Sequence, residues 1–272
     1  MTHSISSVAP AHRLLANVED VTLAHPFRWI RAGWRDLRRA PAASIGYGTL
    51  FTIASYLITL WVVVTPTFFL FLPLLFGFFL VAPALAVGPY EISRRLEMGE
   101  KPSFDDALGA VWSSGFRMTA LGALMVLVLI AWVGAAGAIF AGTGDGLSPS
   151  IGHALGVLLS WANLPLLLVG AAVGALFALV VFLLTAVAAP MLLDRDDVSV
   201  FEAMQTSLAA SFYNWRPMLI WAALIAVCIL GGFLTLYVGL AICFPVIGHA
   251  TWHAYRDLVR HRRGKQPMPR AY

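Results

Sequence analysis

His249 and His253 stand four residues apart in the stretch Gly248–Asp257, so on one helix their imidazoles face the same side. Two histidines at that spacing can reach one metal ion or haem iron. No Glu stands between them as in a zincin, and the other histidines lie far off in sequence. Trp252 and Tyr255 beside them mark a membrane interface, where a histidine is an ordinary polar neighbour. Asp194-Arg195-Asp196-Asp197 offers carboxylates to a divalent cation, but Arg195 in their midst and the short linking loop favour a solvated turn. No nucleophile–base pair, phosphate-binding glycine loop or haem-attachment cysteine motif is read from the sequence. The expectation is no catalytic residue, no bound cofactor and no enzymatic activity. Cys228 and Cys243 both lie in apolar segments and are expected to pack as small hydrophobes.

The elements that carry these residues are membrane helices. The chain is 60% hydrophobic and only 12% charged, with a mean hydropathy of +0.81. A soluble domain carries roughly a quarter charged residues, because its surface must face water. Much of this surface therefore faces lipid. A formal charge of +4 and a pI near 9.3 would suit nucleic acid. The basic residues, however, flank apolar spans as membrane anchors do, and no nucleic-acid partner is expected. Residues 1–43 hold no apolar run followed by a small-residue cleavage site, so the first membrane helix is expected to serve as the insertion signal.

Between Arg39 and Glu91 there is no charge. As helix, residues 42–90 would run about 73 Å, where one crossing needs only ~30 Å. Two crossings are expected, turning at Thr65-Pro66. A second pair covers roughly 117–141 and 166–190. Between them come the glycine-rich stretch Ala141–Gly146 and an interfacial segment, Ile151–Trp161. Residues 218–253 would make one helix of about 54 Å, long for one crossing and short for two. Charge decides: with a turn inside Gly231–Gly239, every Lys and Arg falls on one side, and of the acidic residues only Asp145 falls on the other. The expected fold is an all-α membrane protein of six transmembrane helices in three hairpins, both termini cytoplasmic.

Each hairpin is preceded by an amphipathic stretch. Phe27, Ile30, Trp34 and Leu37 form an apolar stripe beside Arg28, Arg31, Arg35, Arg38 and Arg39. Phe104, Ala107, Leu108, Val111 and Trp112 lead to Arg117; Phe201, Met204, Leu208, Phe212 and Trp215 lead to Arg216. Ser103 with Asp106, and Ser199 with Glu202, fit capping boxes. Pro83, Pro190 and Pro245 recur near the inner ends of the second arms. The chain thus reads as a cytoplasmic amino-terminal segment (1–25), a membrane domain (26–258) and a basic cytoplasmic tail (259–272). Within the domain, three related units cover about 26–96, 103–195 and 199–258. The interface residues are Arg28, Arg31, Trp34, Arg35, Arg38, Arg39, Arg117, Trp215, Arg216, Trp252, Tyr255 and Arg256. Glu91, Arg94, Arg95 and Glu97 are placed to form a structural ion-pair cluster with Arg256 and Asp257. Gly170 and Gly174 permit close helix approach.

Four stretches resemble a bacterial integral-membrane family of unknown function. They are Trp34–Pro41 (WRDLRRAP), Gly88–Glu97 (GPYEISRRLE), Pro190–Arg195 (PMLLDR) and Gly248–Asp257 (GHATWHAYRD). The resemblance runs from about Phe27 to Val259. Members are labelled integral membrane proteins, and some carry a cytochrome c oxidase label; the resemblance implies the bacterial inner membrane and no established activity. An oxidase would need intramembrane histidines for two haems and a copper, which these spans lack.

No Asp, Glu, Lys or Arg lies in any expected span, which argues against a proton-coupled carrier of charged solutes. Polar groups at depth are of the kind of Ser55, Tyr56, Thr59 and Thr185. The leading expectation is a non-enzymatic protein that holds membrane lipids, or a membrane-protein partner, through its cytoplasmic interfacial helices. The alternatives are a channel or carrier for a neutral or apolar solute, and an accessory or assembly factor of a respiratory oxidase.

Overall fold

The structure is a computed structural model and describes residues 18–65, 67, 70–141 and 160–260. Residues 1–17, Pro66, the glycine-rich stretch from residue 142 with Asp145, most of the expected interfacial segment 151–161, and the tail from residue 261 lie outside the described residues.

The described chain is helical. The helices are α1 His25–Arg39, α2 Pro41–Val64, α3 Phe71–Leu85, α4 Val87–Glu97, α5 Phe104–Ser113, α6 Gly115–Ala141, α7 Leu164–Thr185, α8 Ala188–Asp194, α9 Val200–Tyr213, α10 Trp215–Leu234 and α11 Leu240–Leu258. Local chemistry explains several boundaries. Pro41 opens α2, where its missing N–H costs nothing, and Arg38 and Arg39 close α1 against the negative end of its dipole. Both expected capping boxes are present: Ser103 accepts from Asp106 N and Ser199 from Glu202 N, each carboxylate reaching back to the cap backbone.

One of the three prolines differs from the other two. Pro83 and Pro245 lie inside continuous helices. Pro190 lies in α8, just past a break between α7 and α8. There Ser207 of α9 repairs the ladder, accepting from Val187 N (3.1 Å) and donating to Leu183 O (2.9 Å). A corresponding orphan arises where Pro89 offers no N–H to Leu85 O; Tyr47 donates its hydroxyl there at 2.8 Å.

Among the described residues, five segments are long and apolar enough to cross a membrane: Pro41–Val64, Pro73–Glu97, Gly115–Ile139, Trp161–Asp194 and Trp215–Leu234. The sixth expected span, α11, is not among them. It is instead the centre of the protein, packed on α1, α2, α4 and α10. Its neighbours approach through glycines: a Cβ on Gly33 would meet the Val246 carbonyl, and one on Gly48 would meet the Ala241 carbonyl. The latter carbonyl is the one that Pro245 leaves without a helical partner.

The two ends of the described chain meet. Val18 bridges Val259, Glu19 N donates to Leu258 O at 2.9 Å, and Arg260 pairs with Glu19 at 2.5 Å. Asn214 holds the same strap, donating to Glu19 O and accepting from Val21 N.

The amphipathic stripes are rotated from the expected ones. In α1 the buried residues are Pro26, Trp29, Gly33, Asp36 and Leu37, while Phe27 and Trp34 are exposed. In α9 the buried face is Ala203, Thr206, Ser207, Ala210 and Ser211, and Phe201 and Phe212 point outward. Val111 and Trp112 of α5 are exposed too. Small and polar residues take much of the inward face, with Trp29 as the buried aromatic of α1, while Phe27, Trp34, Phe201 and Phe212 are left outside.

Candidate functional site

The polar residues gather at the end of the bundle where α1, α2, α4 and α11 meet. α1 brings Asp36, α2 Ser44, α4 Ser93, and α11 both His249 and His253. Asp36, Ser44, Ser93 and His249 are buried. Ser93 donates to Asp36 Oδ2 at 2.9 Å, and His253 Nε2 lies 2.7 Å from the same oxygen. His249 Nδ1 lies 2.9 Å from Ser93 Oγ and 3.0 Å from Pro89 O, and its Nε2 lies 2.9 Å from Ser44 Oγ.

These partners fix the protons. Pro89 O only accepts, so Nδ1 of His249 carries the hydrogen. Ser93 spends its hydroxyl hydrogen on Asp36 and so accepts from Nδ1. Nε2 is then bare and takes the hydroxyl of Ser44. The chain Ser44–His249–Ser93–Asp36–His253 is thereby satisfied from end to end. It has the order of a hydroxyl activated by a base, but Ser44 and His249 have no exposed surface and are enclosed by helices. What the arrangement does is lock α1, α2 and α4 to α11. At Asp36, burial pushes the carboxyl up, while the bonds from His253 and Ser93 more than offset this and leave it below its ordinary value.

The two imidazoles do not converge on an open point, since each is turned to a different protein partner. Among the described residues no three His, Cys, Asp or Glu side chains are grouped as metal ligands.

A second layer surrounds the cluster. Glu91 is buried and accepts from Arg94 and Arg95 at 2.7 Å each. Arg95 reaches Asp106 of α5 at 3.0 Å. Arg256 pairs with Glu97 at 2.7 Å, and Trp252 Nε1 donates to Glu97 at 3.1 Å. Asp257 takes the indole of Trp29 at 2.8 Å, not an arginine. Asp194 and Arg195 are tied in as well: Tyr255 donates to Asp194 at 2.6 Å and accepts from Arg195 at 3.1 Å. Arg117 clamps the turn after α8, donating to Arg195 O and Val198 O and pairing with Asp196 at 2.9 Å.

The expected interface residues thus divide. Arg28, Arg31, Trp34, Arg35, Arg38 and Arg39 are exposed on α1, and Trp215 is exposed with Arg216 over its ring, 5.1 Å from the centroid. Trp252 and Tyr255, in contrast, are wholly inside the protein, and Arg256 is half-buried. Asp36, Ser44 and Ser93 were not singled out in the sequence. Asp36 and Ser93 do lie inside two of the resembling stretches, which would have been the signal, and all four stretches converge here.

Residues 70–194 match the model of a family described as "Predicted integral membrane protein (DUF2189)". The matched segment runs from the start of α3 to the end of α8 and includes Ser93, Glu91, Glu97 and Asp194. No curated protein and no solved structure matches the chain.

Proposed function

Starting from a chain whose residues 70–194 match the model of a family of predicted integral membrane proteins, we propose that it is a non-enzymatic bacterial inner-membrane protein. In this reading its cytoplasmic collar holds anionic lipid headgroups. The observation that carries it is the outward face of α1. Arg28, Arg31, Arg35, Arg38 and Arg39 are exposed there, and none of the five makes an ion pair among the described residues, whereas Arg94, Arg95, Arg117, Arg256 and Arg260 all do. Beside them Phe27 and Trp34 stay exposed, as an aromatic belt at a headgroup layer would. Each such arginine near an anionic surface contributes about 1 kcal/mol.

The same face and the strap support an orientation. The bridge between Val18 and Val259 fits an even number of passages between them, and the arginine rim favours the cytoplasm for that side. The apolar arms then form three hairpins around the locked cluster, and the cluster fixes the angle at which α1 lies on the leaflet. A path for a neutral solute has less support: Tyr56 and Thr59, which would line it, are bound to the turn between α10 and α11.

The test is lipid selectivity. The full chain is reconstituted in nanodiscs of phosphatidylcholine with a minor share of phosphatidylglycerol, and the lipid retained after detergent exchange is quantified. Enrichment of phosphatidylglycerol is expected, and it should fall to the bulk ratio when the five α1 arginines are changed to Gln. Bulk composition around the unaltered protein would refute the reading, and a protein retained in place of lipid would replace it with a docking role.

A further inference from the structure

The tip of the third hairpin is apolar where a turn in water would be polar. Between α10 and α11 the chain reads Thr235-Leu236-Tyr237-Val238-Gly239, with Leu234, Leu236 and Val238 exposed at 86%, 73% and 60%. Leu236 and Tyr237 both take positive φ, +52° and +68°, without a glycine. Polar groups of the turn are met from α2, although Tyr237 O also accepts from Leu240 N at 2.9 Å. Tyr56 donates to Leu236 O at 2.5 Å, Thr52 to Tyr237 O at 3.1 Å, and Thr59 to the Tyr237 hydroxyl at 2.9 Å. Water would satisfy these groups without help; hydrocarbon would not.

The register gives the depth. Ser44 is the last α2 residue in the polar cluster, and from there to the end of α2 at Val64 is about 30 Å, one hydrocarbon thickness. Thr52 and Tyr56, which hold the tip, stand only about 12–18 Å along that path. The hairpin's own arms agree. His249, level with Ser44, is about 18 Å from Tyr237 along α11, and Trp221, packed on Trp29 of α1, is about 20 Å from Leu234 along α10. Beyond the tip, Val63 continues the stripe of Thr52, Tyr56 and Thr59 and is 42% exposed, so the hairpin does not cover it.

We propose that α10 and α11 form a re-entrant hairpin that enters and leaves at the cytoplasmic face, its tip seated among acyl chains near the bilayer midplane. This rests on the orientation proposed above. The full crossings are then α2, α3–α4, α6 and α7–α8, an even number that keeps Val18 and Val259 on one side. The exposed leucines and valine of the tip are solvated by lipid, Thr52 and Tyr56 serve its backbone carbonyls, and Thr59 serves the Tyr237 hydroxyl.

The experiment places single cysteines in the full chain with Cys228 and Cys243 changed to Ser. Leu236→Cys is treated with a membrane-impermeant maleimide in intact cells and in inverted vesicles, with Arg216→Cys as the companion. Leu236→Cys should escape labelling from both faces, react after denaturation in SDS, and, carrying a fluorophore, be quenched by lipids brominated on the acyl chain. Arg216→Cys should label in inverted vesicles only. Labelling of Leu236→Cys from outside intact cells, with Arg216→Cys behaving as expected, would overturn the re-entrant hairpin alone. Labelling of Arg216→Cys from outside would instead overturn the orientation beneath it. A protected but unquenched Leu236→Cys would mean that protein, not lipid, covers the tip, and would also refute the proposal.

Discussion

α7 and α11 are helices of similar length, 22 and 19 residues, yet they live in different solvents. In α7 only Val181 and Thr185 are buried, and Thr185 bonds its own helix at Val181 O. α7 meets α6 where Gly174 faces Trp132, while Gly170 faces open space. α11 is buried along most of its length, from Leu240 and Phe244 through His249 to Leu258. Lipid solvates the first helix and protein the second. A helix solvated by lipid must be apolar throughout, because hydrocarbon offers no partner to a polar side chain. A helix solvated by protein can carry His249, Thr251, His253 and Arg256, provided that each finds a bond. That is why α11 fails as an apolar span and is nonetheless the element on which the others are built.

The largest effect should come from the glycines that let helices reach α11. A side chain on Gly48 meets the backbone carbonyl of Ala241, which has nowhere to go. Gly48→Leu should cost about 3 kcal/mol or more and yield little monodisperse protein, with Gly48→Ala in between. Gly170→Leu on α7 adds a side chain where nothing lies within 4 Å and should leave the melting temperature unchanged. Thermal unfolding of the three variants in one detergent measures this. Equal losses at Gly48 and Gly170 would erase the distinction between the two helices.

The polar cluster comes next. Asp36→Ala leaves Ser93 and His253 without their shared acceptor and should cost about 2 kcal/mol. The acid dependence has a definite sign. The Asp36 carboxyl titrates below its ordinary value in the folded protein. Its contribution is therefore fully present above the unfolded value of about 3.9 and is lost as pH falls through the lower folded value. From pH 5 to 8 Asp36 should add no slope. Below about pH 4 the unaltered protein should lose stability more steeply than Asp36→Asn. Thr185→Val on α7 should show no such difference, since its bond involves no ionisable group. An acid profile identical for Asp36→Asn and the unaltered chain would detach the carboxylate from the lock.

What the sequence made legible is whatever is local or is set by solvent. The charge-free spans, the two capping boxes and the outward arginines of α1 depend on neighbours within a few residues or on hydrocarbon excluding charge. The pairing of Glu97 with Arg256 was also foreseeable, because both extend membrane arms that must end together. The face of α1 was not. A stripe through Phe27, Ile30 and Trp34 is the more apolar, but Gly33 and Asp36 define the buried one: the first by having no side chain, the second by a partner far away in sequence. Nothing near Ser44 or Ser93 signals that a histidine will lie between them. Trp252 and Tyr255 resembled an interface pair because Trp and Tyr favour headgroups, yet Glu97 and Asp194 give them polar partners inside the protein. The turn after α8 is solvated at Asp196 and Asp197, as its charges suggest, but the inward bond from Arg195 to Tyr255 is invisible from the sequence.

The smallest effect belongs to the helix starts, which face water whichever solvent the arms have. Ser103→Ala and Ser199→Ala each remove one oxygen that accepts a backbone N–H, and each should cost about 1 kcal/mol. The two should not behave alike. Asp106 also pairs with Arg95, so α5 remains fastened to α4 after its serine is lost. No ion pair within 4 Å is seen for Glu202 among the described residues, and the start of α9 depends more on its cap. Ser207 of that same helix bridges the break between α7 and α8. Backbone hydrogen exchange at Val187 should therefore quicken in Ser199→Ala and stay unchanged in Ser103→Ala. If both variants leave Val187 equally protected, α9 is held by its packed face of Ala203 and Ala210 alone, and the lipid-solvated arm owes nothing to the water-facing cap.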